Sequence, residues 1–228
     1  MFKSKKIYCL IPARGGSKGI KNKNIIEFCG SPLINHSINQ AVNSKYIDKT
    51  FVSSDSDQIL QISENCGATA VKRPVELSKD HSTSESVLEH FLQTNNCDLL
   101  VFLQATSPLR ESGDIDAAIE KFCEGEYDSL FAATKAEDFF VWSISGKEKR
   151  SLTYDYKNRL RRQEINNLVL ENGSFYIFCR DKFLKSKNRL FGKIGHFLMD
   201  RWKMYEIDSQ EDLELCKFLY ERKINVKQ

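Results

Sequence analysis

The feature that most restricts the fold of this chain is an alternation. Short β-branched or aromatic runs are followed by amphipathic stretches with helical spacing, from the N-terminus to about Thr134. Parallel strands need long crossovers, which helices supply, so the rhythm predicts an α/β protein with a largely parallel sheet flanked by helices. Strands are expected at Lys6–Pro12, Thr50–Ser54, Thr69–Lys72, Leu99–Gln104 and Ser129–Thr134. Pro32 suits a first helical position, and Leu33, Ile34, Ile38, Ala41 and Val42 follow at helical spacing. A second helix, Asp57–Asn65, stops before Gly67, a good helix terminator; two more fit Ser84–Thr94 and Asp114–Phe122.

The rhythm breaks at Phe139–Gln163, which is polar, aromatic and cationic. So long a segment is not an idle loop in a compact domain; an arm, a lid and a dimerisation element all fit it. Strands at Ser174–Phe178 and His196–Met199 then precede a final helix. Ser209 is its natural N-cap, and Leu215, Phe218 and Leu219 form an apolar stripe. The 228 residues therefore make one domain (1–228) with an insertion at 139–163.

Composition excludes more than it selects. Lys+Arg of 34 against Asp+Glu of 31 leaves a net charge of +3, too small to argue for a nucleic-acid partner. The seven cysteines are scattered without a C-x-x-C pair, as expected of buried, reduced thiols in a cytosolic protein. No leader-like segment and no apolar run of about 18 residues is present, so the expectation is a cytoplasmic protein without a membrane partner.

Chemistry concentrates where strands end. LIPARGGSKGIKNKN (Leu10–Asn24) follows the first strand. Gly15, Gly16 and Gly19 let backbone N–H groups approach an anion, Arg14 can fork onto phosphate oxygens, and Lys18, Lys21 and Lys23 add point charges. The spacing matches neither a P-loop nor the G-x-G-x-x-G dinucleotide turn, which disfavours a dehydrogenase. A flexible, solvated basic turn is the plainer alternative.

FVSSDSDQI (Phe51–Ile59) ends another strand in a serine–aspartate turn, which helix capping by Ser56 or Asp55 largely explains. KRPVELSKDHSTS (Lys72–Ser84) places Arg73 and several hydroxyls at a third strand end. LQATSPLR (Leu103–Arg110) puts the Gln104 amide at a fourth. Convergence of such loops on one crevice would make a site, whereas each alone is weak.

RLRRQE (Arg159–Glu164) is either a solvated face or a bidentate clamp for a carboxylate or phosphate. Glu206 and Asp208 are two apart, so an extended backbone points both to one face, where Mg2+ could relieve their repulsion. Capping of the last helix accounts for them equally well.

In combination these motifs resemble the CMP-sialic acid synthetase (acylneuraminate cytidylyltransferase) family. The matches are IPARGGSKGIKNKN, RPVELSKDHSTS, LQATSPLR, RRQE…ENGSFYIF and the late carboxylate pair, in the family's order and over almost the whole chain. The resemblance implies a Rossmann-like nucleotidyltransferase fold, a homodimer, Mg2+ (with Mn2+ able to substitute) and CTP. It also makes 139–163 a dimerisation arm.

By position, Ala13, Arg14, Gly15, Gly16, Ser17, Lys23 and Asn24 would hold the nucleotide and its triphosphate. Arg73 and Ser84 would contact the nucleotide and Gln104 the sugar acid, while Arg162 and Gln163 would complete a site, their own or the partner's. Asp208 would bind the metal with Glu206. Many relatives carry Asp where this chain has Glu206, which leaves Asp208 the firmer ligand.

The implied reaction is CTP plus N-acetylneuraminate giving CMP-N-acetylneuraminate and pyrophosphate, with Arg14, Lys23 and Asp208 catalytic. Legionaminic acid, KDN or another nine-carbon 2-keto acid is the alternative acceptor. More distant readings are transfer to a sugar 1-phosphate and a nucleotide sensor without catalysis. His36, His81, His90 and His196 are not clustered in sequence, and none stands out as a general base.

Overall fold

A computed structural model of the chain describes every residue except 1, 3, 18, 137–138, 147, 162–163, 165–167 and 225–228. In chain order the elements are β1 (Ile7–Pro12), β2 (Glu27–Phe28), β3 (Ser31–Pro32), α1 (Leu33–Val42), β4 (Lys49–Ser54) and α2 (Asp57–Asn65). Next come β5 (Thr69–Lys72), α3 (Ser84–Thr94), β6 (Leu99–Leu103), α4 (Ser112–Glu124), β7 (Ser129–Lys135), β8 (Trp142–Ser145) and β9 (Glu148–Ser151). The chain finishes with β10 (Val169–Cys179), α5 (Arg180–Ser186), β11 (Ile194–Leu198) and α6 (Gln210–Lys223).

Seven strands form the main sheet in the order β11-β7-β10-β6-β1-β4-β5. Only β10 is antiparallel to its neighbours; the other pairings are parallel, as the alternation predicts. All five residues of β6 are apolar and buried, as a central strand covered on both faces requires. Alternate side chains feed two cores. Ile7, Cys9, Ile11 and Val101 pack with Ile34 and Ile38 of α1 and Ile115 and Ile119 of α4. Leu10, Leu100, Phe102 and Phe178 pack with Leu88 and Phe91 of α3 and Phe183 of α5. Phe28, Leu33, Leu109 and Ile207 form a third cluster with Leu213 and Cys216 of α6.

Several expectations need correction. The strand expected at Ser174–Phe178 begins at Val169 and carries a bulge between Glu171 and Tyr176, where Gly173 takes φ +69°. Glu-Asn-Gly looks like a turn in sequence, but a glycine with positive φ is also what a bulge uses. Helix α5 was not expected; of its seven residues only Phe183 is buried, too little for a periodic signal. In α6 the buried residues are Leu213 and Cys216, whereas Leu215 and Phe218 of the expected stripe are 39% and 54% exposed. Val42 of the α1 stripe is likewise exposed. The expected Ser209 N-cap is present, closed by Asp212 into a capping box.

The inserted segment contains a hairpin of β8 and β9, with Trp142 packed on Tyr154 and Tyr156 and the Arg159 guanidinium 4.3 Å from the Phe140 ring centre. All seven thiols are free, but only Cys9, Cys97 and Cys216 are buried; the other four are half-buried.

One ion cluster fixes the approach to the C-terminal part of the sheet edge. Lys203, in the 3-10 turn Arg201–Met204, is 6% exposed. Its Nζ lies 2.6 and 2.9 Å from the Asp114 carboxylate oxygens and 2.7 Å from Glu111 Oε2, at the start of α4. Burial pushes the ammonium down, but the hydrogen bonds to Asp114 and Glu111 outweigh it and hold Lys203 above the ordinary lysine value of 10.5. A raised folded-state pKa means a stabilisation that is complete below the unfolded value and lost as pH rises through the folded one. Lys203→Met should cost about 2–3 kcal/mol in urea unfolding at neutral pH, because it removes the buried cation that two carboxylates share. The difference from wild type should shrink above pH 10.5.

Candidate active site

Strands β1, β4 and β6 are parallel neighbours, so their C-terminal ends share one edge of the sheet. A cavity of about 400 Å³ opens there, lined by Arg14, Ser17, Lys23, Asn24, Gln104 and Asp208 among others. A second lobe of about 250 Å³ shares Pro12, Arg14 and Ser84 with it and adds Arg73 and Val87. Loops after four strands thus converge on one crevice, as open α/β sheets favour.

The loop after β1 is tied down before it meets a ligand. Ala13 is buried and its N–H donates to the Ser53 carbonyl at 2.9 Å. Gly15 N–H donates to Asp55 Oδ1 at 3.0 Å, so this amide, expected to face an anion, is given to the neighbouring loop. Burial pushes the Asp55 carboxyl up, yet the Gly15 amide, Ser78 and the Arg73 charge bring it below the usual range. Gly19 is sterically required: a Cβ there would sit 2.3 Å from the Asp208 carbonyl oxygen. Gly16 faces open space. Asn24 is buried and its Nδ2 donates to the Arg14 carbonyl at 2.9 Å, closing the loop on itself. Lys18, Arg162 and Gln163 lie outside the described residues.

The cations of the site are already paired. Arg14 donates to Asp80 Oδ1 at 2.9 Å and Lys23 to Asp208 Oδ1 at 2.6 Å. Arg73 is 5% exposed and donates from Nε to Ser78 Oγ at 2.9 Å. Burial lowers its guanidinium, with Asp55 opposing and Arg14 adding to that shift.

Gln104 donates from Nε2 to the Gly173 carbonyl at 2.7 Å, which fixes the amide's orientation against the β10 bulge. Thr106 donates its hydroxyl to Glu206 Oε2 at 3.2 Å and accepts Ile207 N–H on its carbonyl at 2.8 Å. Ile207 is fully buried. The two late carboxylates, expected on an extended backbone, flank the buried Ile207 in a segment that forms no strand. Residues 205–208 are irregular; Glu206 turns back toward Thr106 and Gly173, while the exposed Asp208 lines the cavity beside Lys23. Burial raises the Glu206 carboxyl, the Thr106 hydroxyl opposes this and the Asp208 charge adds to it, for a net rise.

Sequence reasoning missed Phe102 and Thr106 on the wall and Asp55 and Asp80 as partners of the loop. Asp55 had a signal, the SSDSD turn at a strand end, but capping accounted for it. Ser56 is indeed the α2 cap, accepting from Ile59 N–H, and Asp55 serves the loop instead. Among the described residues no histidine or cysteine lines the cavity.

The family model described as Cytidylyltransferase matches residues 8–228. A protein named pseudaminic acid cytidylyltransferase, of Campylobacter jejuni, is 34% identical over 220 residues, covering 93% of this chain and 95% of the relative. The N-acylneuraminate cytidylyltransferase of Streptococcus agalactiae is 32% identical over 209 residues, covering 90% of this chain and 51% of that one. Among solved structures, a CMP:2-keto-3-deoxy-manno-octonic acid synthetase complexed with CTP superposes with a TM-score of 0.72 at 18% identity. It covers 96% of this chain and 100% of that one, a likeness of fold. Matched from β1 through α6 by the family model, and along nearly its whole length by a named relative, this chain belongs to the cytidylyltransferase family.

Proposed function

We propose that this protein transfers CMP from CTP to the anomeric hydroxyl of a nonulosonic acid, a nine-carbon 2-keto sugar acid, releasing pyrophosphate. The observation that carries this reading is the cavity wall. Arg14, Lys23 and Gln104 line one crevice, with Asp208 beside Lys23, in a chain of this family. N-acetylneuraminate is the acceptor that the motifs point to. One observation favours pseudaminic acid as a second reading: the relative named for it matches end to end, whereas the N-acylneuraminate relative is about twice as long as the match.

In the reaction the anomeric oxygen bonds to the α-phosphorus while the bond to the β-phosphate bridging oxygen breaks. The hydroxyl proton leaves to solvent or to a bound base. Arg14 and Lys23 neutralise the departing pyrophosphate, and Ser17 and Asn24 hold its oxygens. Gln104 orients the acid, and Arg73 and Ser84 hold the nucleoside in the second lobe. Little covalent work falls to the protein, so alignment and charge neutralisation supply the acceleration.

The chemistry of the donor set fits Mg2+. Asp208 offers an exposed carboxylate on the wall, with the half-buried Glu206 carboxylate behind it. Among the described residues no three acidic, histidine or cysteine side chains cluster as a metal cage, so the remaining ligands would be phosphate oxygens and water. When bound, the ion would neutralise phosphate charge and polarise the α-phosphate.

Two further points belong to this reading. The arm carries exposed Trp142, Ile144, Leu152, Tyr156 and Leu160, an apolar surface suited to a second copy of the chain, which supports a homodimer. Seven free thiols suit a reducing compartment such as the cytoplasm. No helix among the described residues is long and apolar enough to cross a membrane.

The test is pyrophosphate release with Mg2+, each of four nucleoside triphosphates and a panel of nonulosonic acids that includes N-acetylneuraminate, pseudaminic acid, legionaminic acid and KDN. CTP should exceed UTP by at least about tenfold, and equal rates with UTP would sink the assignment. Asp208→Ala should lower turnover by roughly two orders of magnitude or more while melting like wild type. Lys23→Met removes a pair whose Asp208 partner is 74% exposed, so stability should change by less than about 1 kcal/mol. Its KM for CTP should rise by about tenfold or more, as read in initial rates over a CTP titration.

A further inference from the structure

Arg110 ends the LQATSPLR segment and lines no wall of the cavity, yet at 1% exposure it is the largest fully buried side chain among the described residues. Its Nη1 donates to the Ser174 carbonyl at 2.8 Å and to Ser174 Oγ at 3.2 Å. Nη2 donates to Ser37 Oγ at 2.5 Å and to the Gln104 carbonyl at 2.8 Å. Nε makes no hydrogen bond among the described residues. Every acceptor is thus a hydroxyl or a main-chain carbonyl, and none is a carboxylate.

Such a burial is a poor route to stability. The desolvation of a guanidinium with no carboxylate hydrogen-bonded to it is offset only by the Asp114 and Glu206 charges and by neutral acceptors, and an apolar side chain of similar volume would fill the space more cheaply. Burial lowers Arg110 to about 10. What Arg110 does achieve is geometric, because its acceptors belong to three separate elements: α1 through Ser37, the end of β6 through Gln104, and the β10 bulge through Ser174.

Two of the three elements it joins, the end of β6 and the β10 bulge, also carry the groups at the acid end of the crevice. Gln104 N–H donates to the Ser174 carbonyl at 3.2 Å, and Gln104 Nε2 donates to the Gly173 carbonyl at 2.7 Å. The Ser174 carbonyl therefore accepts from both Arg110 and Gln104. Gln40 in turn donates to the Pro108 and Arg110 carbonyls at 2.8 and 2.7 Å, which fixes the arginine's own backbone. The Gly173 carbonyl that accepts from the Gln104 amide belongs to a residue with left-handed φ +69°.

We infer that Arg110 is a positioning residue: by gripping Gln104 and Ser174 together it sets the Gln104 amide at the acid-binding end of the cavity. The inference rests on the reading above that Gln104 faces the sugar acid. It separates the two substrates, because the CTP-facing residues Arg14, Ser17, Lys23 and Arg73 make none of these hydrogen bonds.

The test uses the full chain and three variants, Arg110→Met, Arg110→Lys and Ser174→Ala, with two readouts. Backbone hydrogen exchange should rise in segments 103–110 and 171–176 of Arg110→Met and stay at wild-type levels in β1 and β4. In initial-rate kinetics its KM for the acid should rise at least about tenfold, with kcat reduced and CTP affinity within about twofold of wild type. Arg110→Lys keeps the charge but its single ammonium cannot reach acceptors on three separate elements as the planar fork does, so it should shift the acid KM in the same direction by less.

Ser174→Ala leaves Arg110 in place and should raise the acid KM by roughly two- to fivefold, which decides the matter if Arg110→Met does not fold. The inference is overturned if acid and CTP parameters fall together with the folded fraction. Full rescue by Arg110→Lys, or exchange that is unchanged or raised throughout, overturns it as well. If the wild type transfers to no nonulosonic acid, the functional reading fails and the exchange pattern alone decides whether Arg110 positions this corner.

Discussion

The catalytic edge depends on one anchored residue, Ile207. Its side chain is fully buried in the cluster of Phe28, Leu33, Leu109 and Leu213, and its N–H is held by the Thr106 carbonyl at 2.8 Å. With Ile207 fixed, Glu206 meets Thr106 and Asp208 meets Lys23. The contact of Gly19 with the Asp208 carbonyl then brings the N-terminal loop against the same segment. A residue from the end of the chain thus joins loops nearly the whole chain earlier. The entropy of closing so long a loop grows only logarithmically with length, so one well-packed isoleucine and its neighbours suffice to hold it.

The electrostatics follow from that convergence. The basic loop is not a bare anion trap, because Lys23 and Arg14 each have an acidic partner. An arriving nucleotide must exchange partners rather than simply add to a charged surface. The Gly15 amide, held by Asp55, serves the architecture of the loop. Preorganisation of this kind lowers the ordering cost of binding.

Much of this was legible in the residues, for stated reasons. Parallel strands buried on both faces are near-continuous apolar runs, as in β6, while the alternation with helices marks β1, β4, β5 and β7; all five are read to within a residue or two of their ends. Helix α2 shows its limits through Ser56 and Gly67, a cap and a terminator with local causes. The irregular parts were opaque because their causes are distant. Glu171-Asn172-Gly173 becomes a bulge only beside β7, and the α6 face is chosen by Phe28 and Ile207 rather than by its own hydrophobic count. The motif loops announced Arg14, Ser17, Lys23, Asn24, Gln104 and Asp208, all of which line the cavity. Asp80 and Thr106 gave no such signal, since a lone aspartate or threonine acquires meaning only from what the fold sets opposite it.

The strand order has a consequence for how the chain is made. β5, β4, β1 and β6 lie side by side and come from one continuous stretch, so that half of the sheet can assemble as the chain leaves the ribosome. β7 cannot join it, because β10 must first be inserted between β7 and β6, and the arm intervenes in sequence. For that interval the nascent chain carries an apolar strand with no neighbour, the state in which misassembly competes with folding. Asp208, on the wall of the cavity, emerges later still. A growing chain therefore has its basic loop well before it has Asp208, and until then Lys23 lacks its acidic partner.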